Sequence, residues 1–334
     1  MQLSEAEIPV LASLDRAIAK GSATDRSSLE DSGGRFAEYL EDWSDAFDSL
    51  REKGLISGDD AGFDLTERGR PVAKNYNEQR PDRYWYYYQT FYPAAYASKA
   101  HSKLCERVFG KDLCQEGQVD MDALNDLLAR MNLMPGDHVL DLGCGAGGIS
   151  QYIADETGAF VTGLDYAHSA IDEANERTAS SQSRVKFVQG DFNALDFPPK
   201  SFSAVISLDT LYWAADMKRT MSKLVEMLRV GGQIGIFIAP ECNPEDPPHV
   251  IEPENTRLGR ALSELGLSYD AVEYTPQLKA FWERNLKAAQ DLRAEFEAEG
   301  NGFIADSLIT EAADQYLPGL EAGTIKRYLY HVTI

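Results

Sequence analysis

A chain of 334 residues with 43% apolar side chains holds enough material for one core of about 200 residues and a second unit beside it. Its formal charge of −22 argues against nucleic acid as the partner, because phosphate contact needs a basic face and no run of Lys or Arg supplies one. The longest apolar runs, such as IGIFIA, fall far short of the roughly 18 residues of a membrane span, and the acids Glu5 and Glu7 stand where a secretory signal would be basic, so a cytoplasmic protein without membrane attachment is expected.

The first patterned stretch is AFDSLREKGLISGDDAGFDLTERGRPVA, residues 46–73. It predicts a helix ending at Gly54, a strand, a turn through Asp59 and Gly62, a second strand and a helix from about Arg70. Helix, hairpin and helix in that order resemble winged-helix modules. A DNA-reading module would be basic here, yet Glu38, Glu41, Asp42, Asp45, Asp48 and Glu52 crowd the leading helix and should repel phosphate.

Next comes RYWYYYQTFYPAAYASKA, in which Tyr84, Tyr88, Phe91, Tyr92 and Tyr96 recur at helical spacing and form one aromatic face. A polar segment at 115–118 then precedes the helix that leads into the core.

The core opens with VLDLGCGAGGIS, residues 139–150: an apolar run, the acid Asp141, then Gly143, Gly145, Gly147 and Gly148. This reads as a buried strand turning sharply into a helix, with glycines where a side chain would keep a ligand off the backbone. Gly143, Gly145 and Gly148 fit the G-x-G-x-x-G dinucleotide fingerprint, but Asp141 would repel a pyrophosphate and suit a cationic ligand. A second strand, AFVTGLDYA, ends in Asp165, about twenty residues past the first glycine, where an acid accepts both ribose hydroxyls. After a helix over 169–178, VKFVQGDFNALDF places Gly190, Asp191 and Phe192 at its end, and the apolar strand FSAVISLDTLYW follows.

Over residues 120–240 these four motifs, in this order, resemble the class I S-adenosylmethionine-dependent methyltransferases. The resemblance implies a Rossmann-like seven-stranded α/β sheet flanked by helices. It implies S-adenosylmethionine as cofactor, S-adenosylhomocysteine as product and a small-molecule methyl acceptor. Gly143 and Gly145 would admit the methionine part of the cofactor and Asp141 would face it. Asp165 would hold the ribose, Tyr166 would pack near the adenine, and Asp191 with the Phe192 backbone would read the ring. Ser207, Leu208 and Asp209 would flank the reactive methyl, and Gln118 is a candidate for the cofactor carboxylate. The methyltransferase form of the N-terminal module implies a homodimer and a share in shaping the acceptor site. Tyr88, Tyr92, Tyr96, Tyr212 and Trp213 are the candidate acceptor-binding rings.

Beyond LRVGGQIGIFIAP, which looks like the helix end, Gly-Gly turn and fifth strand of that family, a Pro-rich acidic loop leads to a helix over 256–265 and a strand at YDAVEYT. About forty residues of amphipathic helix, 276–316, precede the last strand, IKRYLYHVTI. Phe281 and Trp282 are candidates to line an acceptor pocket roofed by this insertion. The expected organisation is therefore a winged-helix-like domain over 1–80, an aromatic helical linker over 81–119 and the methyltransferase domain over 120–334.

Methyl transfer to a neutral amine or a thiolate needs no base, whereas a hydroxyl does. Asp209, His101 and Glu241 are the candidate bases. The cysteines Cys105, Cys114, Cys144 and Cys242 form no C-x-x-C pair and the five histidines show no ligand spacing, so no metal is expected. Two other readings stay open. One is a nicotinamide-dependent oxidoreductase, which leaves Asp141 unexplained, and the other is a non-catalytic regulator that senses the cofactor and acts through the winged helix.

Overall fold

The computed structural model describes every residue except 1, 2, 5, 36–42, 80–83 and 180–183. Of the acidic residues singled out above, Glu5, Glu38, Glu41 and Asp42 lie outside it, as does the side chain of Tyr84. The chain divides into two compact units, Met1–Phe91 and Tyr92–Ile334.

The first unit contains helices α1 (Glu7–Lys20), α2 (Arg26–Arg35) and α3 (Ser44–Glu52), a hairpin of β1 (Ile56–Asp59) and β2 (Gly62–Leu65), helix α4 (Gly69–Gln79) and the first turns of α5 (Tyr84–Ala97). The helix, hairpin and helix expected over 46–73 are present. They close on a core of Leu11, Leu14, Trp43, Phe47, Leu50 and Phe63. Phe63 of the hairpin stacks on Phe47 of α3 with centroids 4.7 Å apart. Gly69 lets α4 begin against the hairpin, since a Cβ there would lie 1.9 Å from the Leu55 carbonyl oxygen. Along α5 the buried residues of this unit are Tyr87 and Phe91, whose rings stack at 5.4 Å, while Tyr88 is half-buried.

The second unit receives residues 92–97 of α5 and continues through α6 (Lys99–Val108) and α7 (Met121–Met131). Strands then alternate with helices: β3 (His138–Leu142), α8 (Gly148–Thr157), β4 (Phe160–Asp165), α9 (His168–Thr178), β5 (Val185–Gln189), β6 (Phe202–Leu208), α10 (Met217–Met227) and β7 (Leu228–Ile238). After α11 (Arg257–Glu264) and β8 (Tyr269–Glu273) come α12 (Thr275–Ala298), α13 (Gly302–Thr310), a π-helical turn (Glu311–Tyr316), α14 (Leu317–Ala322) and β9 (Tyr328–Thr333). The insertion is thus broken rather than one run, because Gly300, at φ 76°, ends α12 and reverses the chain into α13.

The seven strands pair in the order β5-β4-β3-β6-β7-β9-β8. Those from β3 to β7 are parallel and β9 runs antiparallel to both its neighbours. Alternate residues feed opposite faces: Leu140, Leu142, Val205 and Ile236 pack under α10 and α11, whereas Val139, Ile206 and Phe237 pack under α7 and α8. Because the chain leaves β3 toward β4 on one side and reaches β6 on the other, the topological switch point falls at the end of β3, where open parallel sheets bind ligands. Among the described residues, no helix is long and apolar enough to cross a membrane.

Helix α7 lies directly on Gly235 of β7, where a Cβ would come within 2.5 Å of Leu127 Cδ1 and 2.8 Å of the Met131 sulfur. Both side chains are fully buried and have nowhere to retreat. Gly235→Ala should therefore lower unfolding free energy by about 1–3 kcal/mol in a denaturant titration; an unchanged midpoint would mean that α7 is not held as tightly as the structure has it.

Candidate active site

At the end of β3 the backbone turns through Gly143, Gly145 and Gly147, all at positive φ, into the N-terminus of α8. Gly143 and Cys144 donate their N–H groups to the Leu164 carbonyl at 2.7 and 3.1 Å, which ties the loop to the end of β4. Two approaches forbid a side chain: a Cβ on Gly145 would lie 2.6 Å from the Tyr92 hydroxyl, and one on Gly148 would lie 1.9 Å from the Leu113 carbonyl oxygen. The crevice beside the loop encloses about 390 Å³ of space, in part open to solvent, and its walls include Tyr92, Gln115, Glu116, Asp141 and Leu208.

Two buried carboxylates flank the loop, Asp141 on the crevice wall and Asp165 bonded to Gly145. Asp141, 2% exposed at the end of β3, accepts a hydrogen bond from Ser150 Oγ at 2.6 Å. Asp165, 7% exposed at the end of β4, accepts from the backbone N–H of Gly145 at 2.8 Å and of Ala167 at 2.9 Å. Burial pushes the Asp141 carboxyl from its ordinary 3.8 up to about 6, the Ser150 hydroxyl working against that rise and the Asp165 charge adding to it. Burial likewise lifts Asp165 to about 6 against the pull of its backbone donors. Near pH 7 both are ionised. Among the described residues the crevice is lined by no Lys or Arg but by two acids, Asp141 and Glu116, and Asp165 is hydrogen-bonded to Gly145 of the same wall.

Residues 139–232 match the family model described as a methyltransferase domain. Within the seven-stranded sheet, the chain carries a methyltransferase domain over residues 139–232. Among curated proteins it is 32% identical over 143 residues to phosphoethanolamine N-methyltransferase 1 of Arabidopsis thaliana, covering 42% of this chain and 28% of that one. It is 36% identical over 114 residues to a sterol 24-C-methyltransferase of Gibberella zeae, covering 33% and 30%. The chain thus spans under a third of the length of these two relatives. Its fold is shared with the cyclopropane synthase MmaA2 of Mycobacterium tuberculosis, at TM-score 0.60 and 11% identity over 74% of this chain and 98% of that one. It is shared too with a Haemonchus contortus phosphoethanolamine N-methyltransferase 2 in complex with phosphomonomethylethanolamine and S-adenosylhomocysteine, at TM-score 0.54 and 19% identity over 73% and 60%.

Within the methyltransferase domain, the glycine loop brings Asp141, Gly143, Gly145, Asp165, Leu208 and Tyr92 together. Tyr166 is half-buried just past β4. Asp191 is exposed past β5 and caps a 3-10 turn, its Oδ1 accepting from Asn193 N at 2.8 Å and Asn193 Nδ2 at 2.9 Å. Phe192 packs its ring against the core beneath that turn. Ser207 is fully buried and its hydroxyl is bonded to Thr210 Oγ1 at 2.7 Å, so its side chain serves the loop rather than the crevice. Trp213 is 39% exposed and Tyr96 46% exposed, while Tyr88 belongs to the first unit.

None of the three candidate bases stands ready to take a proton. His101 is buried on α6 with its ring 3.6 Å from the Cys105 sulfur, and burial lowers it to about 4. Glu241 is exposed, past β7, and accepts a long hydrogen bond from Gln315. Asp209, at φ 59°, is clasped by Arg327 through Nη1 at 2.7 Å and Nη2 at 2.9 Å. It also accepts from the Gln118 backbone N–H at 2.9 Å and from the Tyr212 hydroxyl at 3.1 Å. Four donors occupy the carboxylate.

Gln118 is held in the same network rather than on the crevice wall. Its Oε1 accepts from Arg327 at 3.1 Å and its Nε2 donates to the Tyr316 hydroxyl at 2.7 Å. Tyr212, in turn, accepts from the Ala239 N–H at 2.8 Å. Sequence reasoning passed over Arg327, whose one signal is a guanidinium at the head of an otherwise apolar final strand. It singled out the segment 115–118 but chose Gln118 from it, whereas Gln115 and Glu116 are the residues that reach the wall.

Two tests follow from these charges. Arg327→Met should strand Asp209 as an unpaired buried charge and destabilise the domain by about 3–5 kcal/mol, with much of that recovered in the Arg327→Met, Asp209→Leu double variant; additive losses in a thermodynamic cycle would show the pair is not coupled. Asp141→Asn keeps an acceptor for Ser150 but removes the buried charge. A carboxyl raised by folding costs stability as pH climbs from about 4 through about 6, so this variant should be more stable than the parent by about 1–3 kcal/mol at pH 7.5 and equal to it near pH 4. Loss of stability at pH 7.5 would contradict the assignment.

Proposed function

We propose that this protein transfers the methyl group of S-adenosylmethionine to a small-molecule acceptor. The observation that carries the reading is the pair of buried carboxylates on adjacent strand ends: Asp141, on the wall of a crevice lined by no basic residue among those described, and Asp165, hydrogen-bonded to Gly145 of the same wall. That arrangement fits a ligand carrying a cationic centre and a ribose diol. It repels a dinucleotide pyrophosphate, which disfavours the nicotinamide alternative. Relatives of the same fold in complex with S-adenosylmethionine and S-adenosylhomocysteine support the choice of ligand.

In this reading Asp141 faces the methionine amino and sulfonium end, and Asp165 uses the lone pairs left over from Gly145 and Ala167 for the ribose hydroxyls. Tyr166, Asp191 and the Phe192 backbone frame the adenine. The bound cofactor supplies a methyl already activated by positive sulfur. What the chain contributes is position and a dry wall: Tyr92, 6% exposed, closes over the Gly145 backbone, and Leu208 shields the side toward β6. With Asp209 clasped and His101 buried, the arrangement favours an acceptor that attacks without a protein base. We assign the N-terminal unit to dimerisation, and the exposed acids Asp45, Asp48 and Glu52 on α3 disfavour DNA reading.

Calorimetry separates the alternatives. The protein should bind S-adenosylhomocysteine and S-adenosylmethionine and ignore NAD. Because both carboxylates of the free protein protonate near pH 6, lowering the pH from 7.5 to 5 should weaken S-adenosylmethionine relative to the neutral-sulfur product by at least about fivefold. A ratio independent of pH would sink the role given to Asp141.

A further inference from the structure

The helical insertion contains polar groups that the cofactor crevice leaves unused. Trp282 and Asn285 sit one turn apart on α12 and are 2% and 1% exposed. The indole Nε1 and the amide Oδ1 are both buried without a hydrogen-bond partner among the described residues. Native folds rarely strand two such atoms on one helix face unless something arrives to meet them.

The neighbours of these atoms lead back to the crevice. The Trp282 ring stacks on Tyr316 with centroids 4.1 Å apart and planes within 12°. Tyr316 closes the π-helical turn that Glu311 opens, and its hydroxyl is bonded to Gln118, two residues from Glu116 on the crevice wall. Single π-turns are costly and gather at functional sites, since the extra residue re-aims the side chains that follow. Glu311 is half-buried, its contact with Ser307 Oγ is a long 3.5 Å, and burial pushes its carboxyl up to about 7. The Glu311 charge acts on Tyr316, the ring that stacks on Trp282, so around Tyr316 stand two hydrogen-bond acceptors, Asn285 Oδ1 and the Glu311 carboxyl, and one donor, Trp282 N–H. The guanidinium that hydrogen bonds bring nearest, Arg327, is already spent on Asp209.

We infer that Trp282, Asn285, Glu311 and Tyr316 form the acceptor-binding site, and that it takes an amine carrying an oxygen function. The ammonium or amine N–H groups meet Asn285 Oδ1 and Glu311, and the oxygen accepts from Trp282 Nε1. A phosphorylated or carboxylated acceptor would set a second negative charge beside Glu311 with no cation to offset it. Tyr316 fixes the Trp282 ring through its stack and through Gln118. The inference rests on the methyl-transfer reading above.

The full chain, saturated with S-adenosylhomocysteine, is titrated calorimetrically with tyramine, propanolamine and phenylethanolamine, and with the matching alcohols and carboxylates. At least one amine should bind at least tenfold more tightly than its alcohol and carboxylate partners. Glu311→Gln and Trp282→Phe should each weaken that amine at least tenfold while S-adenosylhomocysteine affinity stays within twofold. Preference for an alcohol or a carboxylate, binding of none of the probes, or amine affinity unchanged in both variants would overturn the assignment while leaving the cofactor reading intact. Failure of S-adenosylhomocysteine itself to bind would instead strike the reading on which it rests.

Discussion

The site depends on two carboxylates that are almost wholly buried, Asp141 and Asp165. Asp141 and Asp165 share neighbouring strand ends, in register with Gly163 and Gln189, and each raises the cost of ionising by being buried. A fold optimised for stability alone would place Asn or an apolar residue at 141, since Ser150 needs only an acceptor. The charge persists against that cost, and a cationic ligand that offsets it gains selectivity over neutral or anionic competitors. The glycine loop is a consequence of the same constraint: Gly145 both donates to Asp165 and lies bare under Tyr92, so recognition and steric access converge on one residue.

A second buried charge organises the opposite rim. Asp209 follows β6 in a left-handed conformation that a non-glycine residue adopts only when its surroundings insist. Here the insistence comes from Arg327, whose guanidinium lies over the Phe237 ring and forks onto both carboxylate oxygens. Through Gln118 and Tyr316 the clasp joins the segment before α7, the end of β6, the head of β9 and the π-turn. These four pieces are far apart in sequence and meet only because β9 inserts between β7 and β8. A base at 209 and this clasp are mutually exclusive uses of one carboxylate.

What was legible beforehand follows from how local each signal is. Asp141 and Asp165 end adjacent strands and the glycines follow within a few residues, so motif order alone places them near one another. The α/β alternation and the late insertion were equally readable from periodicity. Trp282 was named as a candidate, but Arg327, Asn285 and Glu311 were not, because their meaning depends on which helices fold back on which. Gln118 shows the difference well: the right segment was named, but its side chain turns toward Arg327, a partner 209 positions away. Tyr96 shares helical spacing with Tyr92 yet faces solvent, since spacing fixes a helix face and not what covers it.

The division between shared and private parts of the chain has a functional consequence. The matched family region, 139–232, contains the glycine loop, both carboxylates and the first four strands of the sheet, and ends inside the fifth. The unit Met1–Phe91, α5 to α7, and all of α11 to β9 lie outside it. The two curated relatives share segments of 143 and 114 residues with this chain, while the helical insertion lies outside the matched family region. A phosphoethanolamine enzyme and a sterol enzyme can both resemble this chain about equally, at 32% and 36% over those segments, without either indicating its acceptor. The insertion carries the unsatisfied polar atoms and its own carboxyl, and it is there, rather than in the sheet, that this domain distinguishes itself.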